Sequence, residues 1–234
     1  MKVNWKCGMI ALALGIGLIS TLYSEEKLYV VPGEMDVTMF ISPPPATNSP
    51  KNRAELDEIL AFQSNRTQAM VDFAVSDATI SVFRFADVIG TNFTPANFPV
   101  AAYFFSNSLA NAEKITSSAK KYYHRPRPYA QDTNVHPCVP KPSNESYPSG
   151  HSTAGNFFAI LLADMLPEKA GEIYARGWRF AENRVIGGAH FRSDIEAGRI
   201  CAALIAEKMF ESAAFQRDFK AAKEEIRKAY IVEK

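Results

Sequence analysis

Three short stretches of this chain concentrate residue types that can do chemistry on an anion. The first is Lys120-Lys121-Tyr122-Tyr123-His124-Arg125-Pro126-Arg127-Pro128, and the second is Tyr147-Pro148-Ser149-Gly150-His151-Ser152. The third is Asn183-Arg184-Val185-Ile186-Gly187-Gly188-Ala189-His190-Phe191-Arg192-Ser193-Asp194. A guanidinium offers planar, paired hydrogen bonds to phosphate, and an ammonium adds a compact point charge. Lys120 and Arg127 stand seven residues apart, so a continuous helix would aim both the same way over two turns. Ser149-Gly150-His151 precedes an apolar helical pattern; free N–H groups at a helix start attract anions, and glycine admits their close approach. His190 and Asp194 are four apart. A carboxylate that takes the proton of one imidazole nitrogen leaves the other as a nucleophile.

Each stretch taken alone has an ordinary explanation as well. Cations gather at solvated helix ends, Ser149 reads as a simple N-cap, and a His–Asp pair at this spacing is a common surface ion pair. Taken together they say more. Three of the four histidines fall here, and two of them, His151 and His190, stand beside small residues. Lys120, Arg127 and Arg184 can neutralise the oxygens of a phosphoryl group in transfer. One histidine can attack phosphorus while the other protonates the leaving oxygen. No second carboxylate suited to a divalent ion accompanies them, so the set predicts chemistry with no metal and no cofactor.

The order Lys-x6-Arg-Pro, Pro-Ser-Gly-His, Arg-x5-His-x3-Asp resembles the type-2 phosphatidic acid phosphatase superfamily. Within it, the chain is similar to the soluble bacterial class A non-specific acid phosphatases. The ten fixed residues fall within the 75 residues from Lys120 to Asp194. The resemblance implies that His190 is the nucleophile that becomes phosphohistidine, that Asp194 orients it, and that His151 protonates the leaving alcohol. It implies further that Lys120, Arg127, Ser149, the Gly150 amide and Arg184 hold phosphate oxygens. The implied activity is a broad phosphomonoesterase with an acidic optimum, acting on small-molecule phosphate esters and able to pass phosphate to an alcohol in place of water. One departure is Asn183, which stands where the family usually has serine. A vanadium-dependent haloperoxidase, built on a similar anion site, is an alternative, as is a phosphate-binding surface module without turnover. Binding alone, however, needs neither a nucleophile nor an acid.

The elements that must carry these residues are read from composition and periodicity. The chain has 234 residues, 47% of them apolar and 22% charged, which suits one globular domain. Its 26 basic and 25 acidic residues leave no surface-wide basic excess, so nucleic acid is not an expected partner. Lys2 and Lys6 precede an apolar run from Cys7 to Leu22, and residues 1–24 read as a secretory signal. An uncleaved anchor is the alternative, since the run nears the lower limit of roughly 17 residues for a span. Membrane contact is expected only through that segment, and the predicted location is periplasmic or secreted.

Residues 25–51 form a proline-rich extended segment that wraps the rest, and residues 52–234 form the phosphatase domain. Helical spacing recurs at Leu56, Ile59 and Leu60, at Phe157, Phe158, Leu161, Leu162 and Met165, and at Ile173, Gly177, Phe180 and Ala181. Ile200, Ala203, Leu204 and Met209 continue the pattern, and residues 212–230 read as a largely solvated helix rich in Ala, Lys and Glu. Residues 75–88 are apolar but ambiguous. Prolines between Arg127 and Pro148 prevent regular helix and predict a long ordered loop, a feature that is often functional. The predicted fold class is all-α, a single-domain helical bundle of the type-2 phosphatidic acid phosphatase/haloperoxidase kind. His124 and His136 read as loop residues, Arg125 and Arg192 as supporting or solvent cations, and Asn65, Asn92 and Asn144 as incidental sequons. Pairing of Cys138 with Cys201 is open, and so is a homo-oligomer.

Overall fold

Serine and proline set the first long helix. In the computed structural model, which describes residues 28–31 and 33–232, Ser49 accepts a hydrogen bond from Asn52 N and Pro50 takes the first helical position. This starts α1 (Pro50–Asn65), which is followed by α2 (Gln68–Ser76), α3 (Ala86–Ile89), α4 (Pro99–Tyr123) and α5 (Pro128–Gln131). Then come α6 (Gly150–Met165), α7 (Ala170–Ile186), α8 (Arg192–Phe210) and α9 (Ala213–Val232). Among the described residues there is no strand, as the all-α reading expects. The ambiguous stretch 75–88 resolves into the end of α2, a 3-10 turn at Val82–Phe85 and the start of α3. The segment read as a signal, 1–24, lies outside the described residues. No helix among them is long and apolar enough to cross a membrane.

α6 is buried nearly all round, from Ser152 through Ala159 and on to Met165, which makes it the core helix of the bundle. α7 and α8 pack on either side of it, and two glycines bring them close. A Cβ at Gly177 would lie 2.6 Å from Ala159 Cβ, and one at Gly198 would lie 2.6 Å from the carbonyl oxygen of Ser149. The start of α6 therefore rests directly on the backbone of α8.

Three expectations need correction. α4 does not run on to Arg127: His124 adopts the left-handed region with φ 49 and closes the helix on Lys120 O. A turn, not helical spacing, brings Lys120 and Arg127 together. On α8 the buried stripe is Ile195, Gly198, Cys201, Ala202, Ile205 and Met209, while Ile200 is exposed. Small residues facing α6 set that stripe, and an apolar pattern underweights them. α9 is not largely solvated. Phe215, Phe219, Ala222 and Ile226 are buried, with Phe215 tilted against the ring of Phe104 on α4 at 5.2 Å and Phe219 edge-on to it at 5.9 Å. Each large side chain buried there stabilises the docking by roughly 1.5–3 kcal/mol.

The described part of the proline-rich segment packs against the bundle. Tyr29, Val37 and Ile41 are buried, Tyr29 N donates to Asn111 Oδ1 at 2.8 Å, and Tyr123 Oη donates to Ile41 O at 3.1 Å. Phe104, Phe105 and Tyr147 are core residues. Cys138 and Cys201 are both free thiols.

Candidate active site

Three backbone hydrogen bonds stitch the motif stretches together. Ser146 N donates to Arg125 O at 2.9 Å, Ser149 N to Asp194 O at 3.0 Å, and Cys138 N to Gly187 O at 3.2 Å. The loop between α5 and α6 is thereby held against both the end of α4 and the turn between α7 and α8. That turn is tight. Gly188 takes φ 73, which costs glycine no Cβ clash, and Ala189 N and His190 N both donate back to Arg184 O. His190 is set beside the end of α7, two residues ahead of α8.

His190 is 1% exposed. Its Nδ1 lies 3.1 Å from Asp194 Oδ2 and its Nε2 lies 2.7 Å from Arg127 Nη1. A guanidinium only donates, so Nε2 accepts and the ring proton sits on Nδ1, facing the carboxylate. Asp194 Oδ2 also accepts from Ser146 Oγ at 2.5 Å and from Phe191 N at 2.9 Å, and Oδ1 accepts from Arg125 Nη1 at 2.7 Å. Burial raises the Asp194 carboxyl, yet the His190 hydrogen bond, the Arg125 charge and the Ser146 hydroxyl outweigh it and hold it well below the usual carboxylate range. Burial, followed by the Arg127 charge, pushes His190 well below an ordinary imidazole. A neutral ring with its proton held on Nδ1 is a nucleophile through Nε2.

His190 shares a cavity of about 280 Å³ with Lys120, Arg127, Asn144, Gly150 and His151. Lys120 Nζ donates to Glu145 O at 2.7 Å, and burial followed by the Arg127 charge brings its ammonium down to about 7. Arg127 is braced by Asn144: Nε donates to the Asn144 carbonyl at 2.9 Å and Nη2 to its side-chain oxygen at 2.6 Å. Arg184 is fully buried, and its Nε and Nη1 make no hydrogen bond. Burial and the Arg127 charge lower its guanidinium to about 10. Buried donors left in this state are costly, and an anion or a water can satisfy them. A Cβ at Gly150 would meet nothing within 4 Å, so that residue presents open backbone at the start of α6. Ser149 Oγ accepts from Ser152 N at 3.3 Å as an N-cap, which leaves its O–H as a donor.

His151 has its Nε2 3.0 Å from Ala78 O, so that nitrogen carries the proton and Nδ1 is left for a ligand. Burial and then the Arg184 charge lower the ring to about 3, with Arg127 and Lys120 adding to the effect. Asn183 does not join the cavity. Its Nδ2 donates to Asp77 Oδ2 at 2.8 Å, inside a buried cluster where Arg176 pairs with Asp77 and Asp87. Arg192 pairs with Glu58. Among the described residues no three His, Cys, Asp or Glu side chains converge as metal ligands.

The PAP2 superfamily pattern matches residues 101–216, a span that holds both cavity histidines and all three cations. A non-specific acid phosphatase of Salmonella typhimurium is 33% identical over 197 residues, covering 80% of this chain and 78% of the relative. The chain belongs to the PAP2 superfamily. An acid phosphatase of Zymomonas mobilis is 30% identical over 238 residues, 94% of this chain and 89% of the relative. Among solved structures, the first bacterial vanadium dependent iodoperoxidase superposes with a TM-score of 0.58 at 18% identity, over 75% of this chain and 53% of that one. A transmembrane PAP2 type phosphatidylglycerolphosphate phosphatase from Bacillus subtilis does so at 0.50 and 19% identity, over 68% and 84%. At such identities the likeness is one of fold, and the bundle is that of the PAP2 superfamily.

Beyond the motif stretches, this PAP2 site uses supports that the sequence does not advertise. Ser146 on Asp194, Asn144 on Arg127 and the Ala78 carbonyl on His151 belong to no motif. Arg125, inside the first stretch, turns out to be buried on Asp194. Only the length of the proline loop pointed toward Ser146 and Asn144.

Proposed function

We propose that this PAP2 member is an exported acid phosphatase that hydrolyses small phosphate monoesters by two displacements at His190, with no divalent metal. The observation that carries the reading is the buried His190, neutral, with Nδ1 held on Asp194 and Nε2 in a cavity lined by cations. The relatives named acid phosphatases support monoester hydrolysis. Export rests on the basic and apolar character of residues 1–24.

In the first displacement the Nε2 lone pair of His190 forms a bond to phosphorus and the ester P–O bond breaks. Lys120, Arg127, Ser149, the Gly150 amide and Arg184 hold the phosphoryl oxygens, and His151 Nδ1 passes a proton to the departing alkoxide. In the second, water gives a proton to His151 and attacks phosphorus, and the P–N pair returns to Nε2. An alcohol in place of that water gives transfer. Burial and the Arg184 charge lower His151, so the ring holds a proton only towards acid pH, which favours an acidic optimum. Below about pH 6 a phosphate monoester carries its own proton into the site. There its negative charge offsets the cations that lower His151 and so strengthens the hold of that ring on a proton.

The test is hydrolysis of a chromogenic phosphate monoester from acid to neutral pH, with a metal chelator, beside His190→Ala. Turnover that survives the chelator and vanishes in the variant supports the reading, as does a phosphoprotein that survives an alkaline quench. Equal turnover by His190→Ala would sink it.

A further inference from the structure

Arg125 is not one of the cations that line the cavity. It is 4% exposed, with its guanidinium carbon 3.9 Å from the centroid of the Phe191 ring. Its Nη1 donates to Asp194 Oδ1 and to Ser193 Oγ, each at 2.7 Å. Its Nη2 donates to Asn52 Oδ1 at 2.8 Å and to Glu55 Oε2 at 3.0 Å. Glu55, buried on α1, accepts in turn from Ser193 N at 3.1 Å and from Ser193 Oγ at 2.8 Å.

We infer that Arg125 and Glu55 are a positioning pair for the nucleophile, acting on His190 through Asp194; the inference rests on the reading of His190 as the attacking group. A carboxylate fixed through one oxygen can still turn about its Cβ–Cγ bond, where the torsional wells are broad. Arg125 takes the second oxygen, and the face of Phe191 restrains the guanidinium plane. Oδ2 is thereby kept at hydrogen-bond distance from His190 Nδ1, and the ring is aimed. Charge gives Glu55 its part. Arg125 alone would neutralise Asp194 and weaken its hold on the imidazole proton. With Glu55 sharing the guanidinium, the buried trio carries one net negative charge. That charge faces the positive charge that His190 acquires when its Nε2 bonds to phosphorus. α1 thus reaches the reaction from a distant part of the chain, 138 residues from Ser193.

The experiment compares steady-state kinetics of a phosphate monoester for the full protein, Arg125→Met, Arg125→Lys, Asp194→Asn and the Arg125→Met/Asp194→Asn double variant. Arg125→Met is expected to lower kcat about a hundredfold, since small misplacements of a reacting group cost that much, while KM stays within about threefold. Arg125→Lys restores part of the loss. The acid limb of the pH profile moves to higher pH in Arg125→Met, because Asp194 loses the cation that holds it ionised. The double variant is no slower than Asp194→Asn alone, because the arginine acts only through that carboxylate. A plain structural ion pair would lower the melting temperature and leave kcat of the folded protein unchanged. Wild-type kcat in folded Arg125→Met, or losses that multiply in the double variant, overturn the inference. Should Arg125→Met not fold, Glu55→Gln carries the test: a lower kcat at unchanged KM supports the pair, and an unchanged kcat overturns it. Absence of turnover in the wild type removes the phosphatase reading and this inference together, whereas turnover retained by the variants removes only the inference.

Discussion

Arg127 Nη1 lies 2.7 Å from His190 Nε2, so the cation proposed to hold phosphate rests on the atom proposed to attack it. The hydrogen on that contact has to leave Nε2 before a P–N bond forms, and a phosphoryl oxygen is the acceptor that draws it away. Substrate binding and exposure of the nucleophile become one event. Arg127→Ala is expected to lower kcat/KM about 10²–10³-fold, the usual cost of one lost oxyanion donor. After burial, the Arg127 charge is the largest influence lowering His190, so the variant ring is more basic. It protonates, and stops attacking, at higher pH than in the wild type. A pH–rate profile in which the acid limb moves up checks this.

His151 is expected to show the signature of a proton donor. Its removal matters least when the leaving group needs no proton. His151→Ala therefore loses much less activity on a nitrophenyl ester than on an alkyl phosphate, with the difference about 10²–10⁴-fold, the span of general acid catalysis. A series of esters graded by leaving-group basicity measures it. Equal losses across the series would assign His151 to binding alone.

Lys120 couples anion binding to pH. Its ammonium is brought down to about 7 by burial and by Arg127, against roughly 10.4 for a free lysine. Between those values the free protein holds Lys120 mostly neutral, while a bound phosphate favours the charged form. Binding of inorganic phosphate is expected to take up a proton there and to weaken by up to about tenfold per pH unit above 7. Calorimetry in buffers of different ionisation enthalpy reads the proton directly, and Lys120→Arg, always charged, flattens the dependence. For folding, the same window has the unfolded chain binding more protons than the native one. The contribution of Lys120 to stability therefore rises as pH climbs from about 7 towards the free-lysine value.

Asp77 holds the cluster beneath the site. It is fully buried and accepts from both terminal nitrogens of Arg176, at 2.7 and 2.9 Å, and from Asn183. Asp77→Ala removes the countercharge and leaves Arg176 buried, which costs about 3–5 kcal/mol. Thermal or urea unfolding should register that loss, and a change below about 1 kcal/mol would mean that Asp87 alone compensates Arg176.

The sequence made the chemistry legible and left much of its support hidden, for physical reasons. Residue type and spacing singled out His190, Asp194, His151 and the cations, because the proposed metal-free transfer calls for a nucleophile, an acid and positive charge supplied by side chains. The helices followed from periodicity where large apolar residues mark a face, as at Phe157 and Leu161. Periodicity misjudged α8, where Gly198 and Ala202 face the core, and α9, where Phe215 and Ile226 sit among charges. Spacing suggested a continuous helix from Lys120 to Arg127, yet the backbone reverses at His124. Ala78 and Ser146 act through contacts between segments far apart in the chain. Which carbonyl meets which imidazole depends on how loops meet in three dimensions, and no local pattern encodes that.

The joint between α6 and α8 constrains how this protein can change. Gly198 has no room for even a methyl group against the Ser149 carbonyl, and that contact locks the helix bearing His151 to the turn bearing His190. A lineage exploring new substrates has no slack there, because any side chain at Gly198 pushes α8 away from the start of the helix that bears His151. Freedom lies on the rest of the rim, which Ile80, Glu113 and Ser117 also line. Diversification of this enzyme is channelled to that rim, with the chemistry inherited unchanged.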